Sequence, residues 1–214
     1  MGPTANPRSY CSPGEEPPAR RVSLGASWLS TTLSFGGADA PLSQTGLLAA
    51  GAFRLGERFT LQAGAGAILG GTLSAGGVDY RIQPGWLAQA GLTWLALDGE
   101  TTWPFLSVSA TLAASGARTT AGGQPDETLT ALDAGLSIAV GKSFLGWLSP
   151  YVGVKVFGGP VFWTLAGAPV TGTDVHHYQV ALGVAAALPG GFDVVVEGSP
   201  LGAQGVTGAV GWAF

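Results

Sequence analysis

The chain has 214 residues, enough for one domain of ordinary size. Only 10% of its residues are charged, against about 25% in a typical soluble protein, 36 are glycine and the mean hydropathy is positive. A net charge of −4 without a basic cluster argues against nucleic-acid binding. No uncharged stretch keeps a helical period, so a membrane-spanning helix is not expected. An apolar chain of this kind can still cross lipid as a closed β-barrel.

The amino-terminal segment differs from the rest of the chain. Residues 1–20 are rich in proline and lack an apolar run, which predicts a disordered tail followed by one barrel domain over residues 21–214. The segment is not a secretory signal peptide, because it has no apolar core. Cys11 is the one cysteine of the sequence, so no intrachain disulfide is expected.

Alternation of apolar and small or polar residues predicts an all-β fold, an antiparallel up-and-down transmembrane β-barrel of ten strands. In chain order the predicted strands are 21–35, 44–55, 59–69, 80–97, 103–114, 127–142, 150–163, 175–188, 192–199 and 203–214. A change of phase at Trp28 and Leu29 predicts a bulge in the first strand, and Gly158-Gly159-Pro160 predicts another in the seventh. An eight-stranded barrel is the alternative if the short ninth strand and its partner pair differently.

The two faces of these strands differ in charge. In the fourth strand Trp86 and Trp94 share the apolar face with Ile82, whereas Gln89 lies on the other face with Arg81. Charged residues within the strands fall on the polar face: Arg54, Arg81, Asp133, Lys155, Asp193 and Glu197. A basic side chain facing mid-bilayer lipid costs about 2–4 kcal/mol. We therefore expect the polar face to line the lumen and these six residues to form a charge network there.

The gaps between predicted strands alternate in length, as short periplasmic turns and longer outer loops would. The predicted long loops are 36–43, 70–79, 115–126 and 164–174, and an even strand count places both chain ends in the periplasm. Aromatic residues at the strand ends predict two girdles at the membrane surfaces. The inner girdle comprises Phe53, Phe59, Trp94, Trp103, Phe192, Trp212 and Phe214, and the outer one Phe35, Tyr80, Phe162, Trp163 and Tyr178.

The last predicted strand ends the chain on an aromatic residue. Val206, Val210, Trp212 and Phe214 lie on one face of it. This pattern resembles the closing strand of bacterial outer-membrane β-barrels. The resemblance implies an outer-membrane location, contact with membrane lipid and lipopolysaccharide, and recognition of these four residues by the barrel-assembly machinery during biogenesis.

Candidate catalytic residues are few. Asp174, His176 and His177 precede the body of the eighth strand and resemble the rim of the omptin-type outer-membrane proteases, which also have ten strands. That resemblance implies a hydrolase, but the sequence supplies no recognisable nucleophile, base and orienting group together. Neighbouring histidines on a strand point to opposite faces, so neither a metal site nor a cofactor is expected.

The sequence therefore predicts a small, nonenzymatic outer-membrane barrel with a narrow pore. Three basic and three acidic lumen residues balance, which predicts weak ion selectivity. The alternatives are a structural or surface-binding barrel whose lumen is plugged by paired charges, a rim hydrolase, and a soluble ligand-binding barrel. Acidic residues of the outer segments are expected to keep them solvated: Asp39, Asp79, Asp126, Glu127 and Asp174, against Arg118.

Overall fold

Period-two alternation along most of the chain produces one antiparallel sheet. The computed structural model describes residues 19–99, 103–122, 126–165 and 167–214, so most of the predicted tail, with Cys11, lies outside the described residues. The strands are β1 (Arg20–Phe35), β2 (Ala38–Leu55), β3 (Phe59–Ala75), β4 (Val78–Ile82), β5 (Gly85–Asp98), β6 (Phe105–Thr120), β7 (Glu127–Gly141), β8 (Leu148–Gly158), β9 (Val161–Leu165), β10 (Ala168–Asp174), β11 (Tyr178–Ala187), β12 (Phe192–Gly202) and β13 (Gln204–Ala213). A 3₁₀ turn, Pro189–Gly191, precedes β12. Over these residues no helix is long and apolar enough to span a membrane.

The first strand pairs with the last, which closes the sheet into a barrel. β1 runs antiparallel to β13 from the Arg21–Ala213 pair to the Ser30–Gln204 pair, and every described strand has a neighbour on both edges. A closed sheet leaves no unpaired edge. We call the end where the backbones of Arg20 and Phe214 exchange hydrogen bonds the terminal end, and the opposite end the far end.

Three pairs of consecutive strands each form one longer strand of the sheet that is briefly interrupted. β4 and β5 both pair with β3 and β6 on either side of Gln83–Pro84, and β8 and β9 both pair with β7 on either side of Gly159–Pro160. β10 and β11 are separated by residues 175–177. The register against β7 is the same on both sides of Gly159–Pro160, from the Ala134–Gly158 pair to the Ala131–Val161 pair, so this segment interrupts the strand without the bulge that the sequence predicted against β7.

The prediction of a bulge in the first strand is wrong. β1 pairs with β2 along its whole length without a change of register. Trp28 still points outward, and Leu29 and Leu33 point inward as the alternation requires. The sequence changes phase there because the interior of the barrel becomes apolar towards the far end, not because the backbone bulges.

The hairpin of β12 and β13 is shorter than its neighbours. It turns at Ala203, whose backbone N–H donates to the carbonyl of Tyr178 at 3.1 Å. Beyond this turn β10 pairs directly with β1, from Leu33–Asp174 to Phe35–Gly172. The sheet is therefore two strands narrower at the far end than at the terminal end.

The outer surface of the barrel is apolar. Leu24, Leu112 and Leu136 are 61%, 66% and 57% exposed, while serines such as Ser107 and Ser149 are buried inside. A soluble barrel would place its apolar residues inside and its polar residues outside. The observed arrangement is that of a barrel surrounded by lipid.

The prediction of long outer loops is wrong. β2 begins at Ala38, β3 continues to Ala75, β6 continues to Thr120 and β10 begins at Ala168. Gly36-Gly37 and Gly76-Gly77 form two-residue turns with φ of +60° and +89°, and of +59° and +79°. Type I′ hairpin turns need positive φ at both positions. The small and polar residues assigned to loops instead extend the strands past the apolar band.

Candidate functional site

An apolar cluster fills the far end of the barrel. Leu73, Ile82 and Trp163 are each at most 1% exposed. The Tyr80 ring meets Trp163 edge to face at 4.9 Å, and the Trp163 indole N–H donates to the Thr119 hydroxyl at 3.0 Å. The far-end cluster comprises Leu33, Ala40, Leu42, Ile68, Leu73, Tyr80, Ile82, Ala117, Leu129, Val161 and Trp163. It forms an apolar core inside the barrel.

This cluster changes the assignment of the predicted outer girdle. Tyr80 and Trp163 belong to the cluster and Phe35 packs against it, so these three do not face lipid. Phe162 and Tyr178 are exposed, as are all seven residues of the predicted inner girdle. The assignment of Tyr80 fails because the interruption at Gln83–Pro84 shifts the phase between β4 and β5, a shift that local periodicity did not reveal.

A second cluster lies inside the terminal end. Arg21 donates through Nε to Asp193 Oδ2 at 2.8 Å, and the Asp193 side chain is wholly buried. The Tyr151 hydroxyl donates to Glu197 Oε2 at 2.8 Å. Phe105 is fully buried beside Tyr151 in a small apolar group completed by Ala139, Ala185 and Val195. Sequence reasoning missed Arg21, although the alternation along β1 places it on the same inward face as Gly25 and Ser27.

Between these clusters lies a cavity of about 200 Å³, which we call the central chamber. Apolar side chains line part of it, including Leu29, Leu87, Leu129 and Phe157. Polar and charged side chains line the rest: Ser27, Thr31, Gln44, Thr45, Gln62, Gln89, Ser109, Thr111, Ser115, Asp133, Ser137, Lys155, Asp174, Gln179, Glu197 and Thr207. The chamber is thus lined by both polar and apolar groups.

Several polar groups of the chamber have no protein partner. Within the described part of the chain, the amides of Gln44, Gln62 and Gln89 make no hydrogen bond to protein. Ser137 is only 6% exposed and lies between Ser109 and Lys155 in the sheet, and its hydroxyl makes none to any described residue either. These groups line the chamber, so they mark where it can offer hydrogen bonds to a guest.

The six residues of the predicted charge network do not lie together. Asp133 and Lys155 form an ion pair at 3.8 Å, and Glu197 lines the chamber with them, whereas Asp193 lies at the terminal end with Arg21. The two predicted arginines of the network lie elsewhere. Arg54 donates to the carbonyls of Gly56 and Glu57 in the β2–β3 turn. Arg81 is exposed on β4, because the interruption at Gln83–Pro84 reverses its face.

The predicted rim residues are also separated. Asp174 lines the chamber, where it accepts hydrogen bonds from the Thr31 hydroxyl at 2.8 Å and from the backbone N–H of His176 at 2.7 Å. His177 is exposed, and its ring lies beside Gly158. Among the described residues, no group of three His, Cys, Asp or Glu side chains could hold a metal ion.

A closed antiparallel sheet with an apolar exterior and a partly polar interior defines a transmembrane β-barrel. No protein-family model matches the chain, and no curated protein sequence matches it. Solved structures do resemble it. The outer membrane protease OmpT from Escherichia coli has a TM-score of 0.61 at 11% identity, over 91% of this chain and 96% of that chain. The translocator domain of the autotransporter NalP from Neisseria meningitidis has a TM-score of 0.55 at 13% identity, over 94% and 90%.

Identities this low show a shared fold and no more. The chain has the fold of the bacterial outer-membrane β-barrel proteins. The outer-membrane β-barrel fold indicated by the terminal strand is therefore confirmed.

Proposed function

We propose that this protein is a small, nonenzymatic outer-membrane barrel that passes small solutes through the central chamber. The observation that carries the proposal is a cavity of about 200 Å³ in the middle of a barrel whose far end is filled by apolar side chains. A purely structural barrel gains nothing from such a cavity, since an empty space forfeits packing energy. The far-end cluster is then the closed gate of a narrow path.

The decrease in strand number towards the far end supports the proposed pore. Counting each interrupted pair as one spanning strand gives ten strands at the terminal end and eight at the far end. Barrels of about eight strands are just filled by side chains. The two additional strands widen the interior next to the far-end cluster. The eight-stranded part is therefore filled by side chains, and the ten-stranded part has room for the central chamber.

We further propose that the protein lies in the outer membrane. The apolar exterior would contact membrane lipid, with the far end towards lipopolysaccharide and the terminal end in the periplasm. Val206, Val210, Trp212 and Phe214 are each about half exposed on the outer face of the closing strand. That exposure suits both lipid contact and the assembly-machinery recognition expected from the sequence.

Single-channel conductance in a planar lipid bilayer tests the pore. Trp163→Ala removes the largest side chain of the far-end cluster, and Phe162→Ala is its matched control, because Phe162 lies next to it on β9 and points outward. We expect discrete openings that become larger or more frequent in Trp163→Ala and are unchanged in Phe162→Ala. Silence of both variants, with folding and insertion verified by a heat-dependent gel shift, contradicts the pore.

A plugged structural or surface-binding barrel is the second candidate. The ion pairs Lys155–Asp133 and Arg21–Asp193 favour it, because both lie inside and occupy the lumen. The same conductance experiment separates the two functions, since a plugged barrel stays silent when Trp163 is truncated.

A rim hydrolase is a poorer fit to the geometry. The Asp174 carboxylate accepts hydrogen bonds from Thr31 and from the backbone of His176, and the His177 ring lies beside Gly158 rather than against Asp174. We expect no cleavage of a fluorogenic peptide library by the folded protein. Cleavage that is lost in both Asp174→Ala and His177→Ala would overturn the nonenzymatic assignment.

A further inference from the structure

The charged lining of the central chamber is unbalanced. Of the described residues that line it, Asp133, Asp174 and Glu197 carry carboxyl groups and Lys155 carries an ammonium group. Three negative charges against one positive charge leave a formal excess of two negative charges. The balance expected from the sequence is absent because Arg54 and Arg81, two of the three cations assigned to the lumen, lie outside the chamber.

Neutral polar groups accompany this charge. Ser137 is 6% exposed, lines the chamber beside Lys155, and makes no hydrogen bond within the described residues. The Gln62 and Gln89 amides, on the paired strands β3 and β5, line the chamber without a protein partner among the described residues. Because these groups line the chamber, a guest or a water molecule there can complete their hydrogen bonds.

An aromatic face and aliphatic side chains complete the lining. The Lys155 ammonium lies 5.4 Å from the centroid of the Phe157 ring, so this ring already faces a cation inside the barrel. Leu29 and Leu87 line the chamber as well. A guest with one charged end and one apolar end would meet a matching surface at both.

We propose that the central chamber binds a small organic cation, an ammonium group carrying an apolar substituent. The ammonium group lies beside the carboxyls of Asp133 and Asp174, which the strand register places at the same level of the barrel, and the substituent packs on the leucine side chains. The inference rests on the proposed function for its chamber, but it does not require the chamber to conduct.

Three probes of similar size and different charge test this inference. Benzylammonium, benzyl alcohol and benzoate are titrated calorimetrically into the full chain, refolded in detergent, with empty micelles as the blank. We expect benzylammonium to bind about tenfold more tightly than benzyl alcohol, because charge-assisted hydrogen bonds are stronger than neutral ones. Benzoate should bind most weakly. Equal affinity for all three, or tighter binding of benzoate, overturns the proposal.

Charge-removing variants locate the site. Asp133→Asn and Asp174→Asn each remove one negative charge from the chamber while nearly keeping the shape of the side chain, and each should weaken benzylammonium binding about tenfold. Asp39→Asn removes the same charge from an exposed position on β2 and should leave the affinity unchanged. If Asp39→Asn weakens binding as much as the chamber variants, or both chamber variants bind as wild type does, the chamber is not the site. The Asp174 variant serves if Asp133→Asn, which removes the ion pair with Lys155, fails to fold.

The two proposals fail separately. Cation binding without conductance in Trp163→Ala overturns the pore and leaves the binding site. Conductance in that variant without a preference for benzylammonium overturns the binding site and leaves the pore.

Discussion

Glycines inside the barrel make room for long side chains of the neighbouring strand. A Cβ on Gly135 would lie 2.6 Å from Cε of Lys155, and one on Gly91 would lie 3.0 Å from Nε2 of Gln62. Further pairs of this kind include Gly183 with Tyr151, Gly211 with Arg21 and Gly141 with Phe105. Several long inward side chains thus lie over a glycine, which lets a wall of mostly small residues hold a few long polar groups.

Gly183→Ala should therefore disturb the terminal end. Its new methyl group would overlap the Tyr151 ring, so the ring must move and its hydroxyl would leave Glu197. We expect the free energy of unfolding to fall by about 1–3 kcal/mol, the usual cost of overpacking. Gly208→Ala on β13 is the control, because its methyl group meets nothing within 4 Å. Urea unfolding in lipid vesicles, followed by tryptophan fluorescence, measures both, and equal midpoints would contradict the packing argument.

At the scale of elements, the short β12–β13 hairpin sets the shape of the barrel. Its turn lies against Tyr178, and Ala203 in the turn is fully buried. Gly202 has a φ of +77°, and a Cβ there would overlap the Tyr178 carbonyl. The hairpin can end at this level because glycine permits both the conformation and the close approach.

Gly202→Ala should loosen this hairpin. The left-handed conformation alone costs about 1–2 kcal/mol for a residue with a side chain, and the overlap with Tyr178 adds to it. Gly198→Ala, on the same strand with nothing within 4 Å, should change stability by less than about 0.5 kcal/mol. Hydrogen exchange of the β12 and β13 amides gives the readout. Unchanged protection in Gly202→Ala would mean that the turn does not depend on the contact with Tyr178.

For the whole molecule, the structure separates tryptophans into two environments. Trp86 is 52% exposed on the outer surface, whereas Trp163 is 1% exposed in the far-end cluster. The chain contains seven tryptophans, so two single-tryptophan variants, with phenylalanine at the other six positions, report inside and outside independently.

Brominated lipids quench tryptophans that they touch. In vesicles containing such lipids we expect strong quenching when Trp86 alone remains and weak quenching when Trp163 alone remains, because only the first faces lipid. A heat-dependent gel shift verifies that both variants are folded. Equal quenching of the two would reject the assignment of inside and outside, and with it the far-end cluster as a gate.

The sequence predicted the strands well and the far end poorly. Strands such as β1, β7 and β13 lie within one or two residues of their predicted ranges, because alternation is strongest where a strand separates lipid from a lumen of small residues. At the far end Leu33, Tyr80 and Trp163 are apolar and point inward, so hydrophobicity no longer distinguishes the two faces. The Gly-Gly pairs at 36–37 and 76–77 were a usable signal for tight turns.

The chamber could be predicted only in part. Asp133, Lys155 and Glu197 were assigned to the lumen from phase alone, and all three line the chamber. Asp174 was assigned to a loop, and Arg81 to the wrong face, because strand interruptions reverse the phase without a local mark in hydrophobicity. Which charges meet depends on pairing between distant strands, which one sequence does not display.

The pairing of β1 also bears on how the barrel chooses its register. One edge of β1 meets two different partners, β13 up to Ser30 and β10 from Leu33 onward. A slip of one residue against β13 would turn the inward side chains outward, and it would also break the alignment with β10. Two segments separated by about thirty residues must therefore agree on one alignment before the barrel can close. A closure with the wrong register would therefore lose strand pairing with both β13 and β10, which favours the native register.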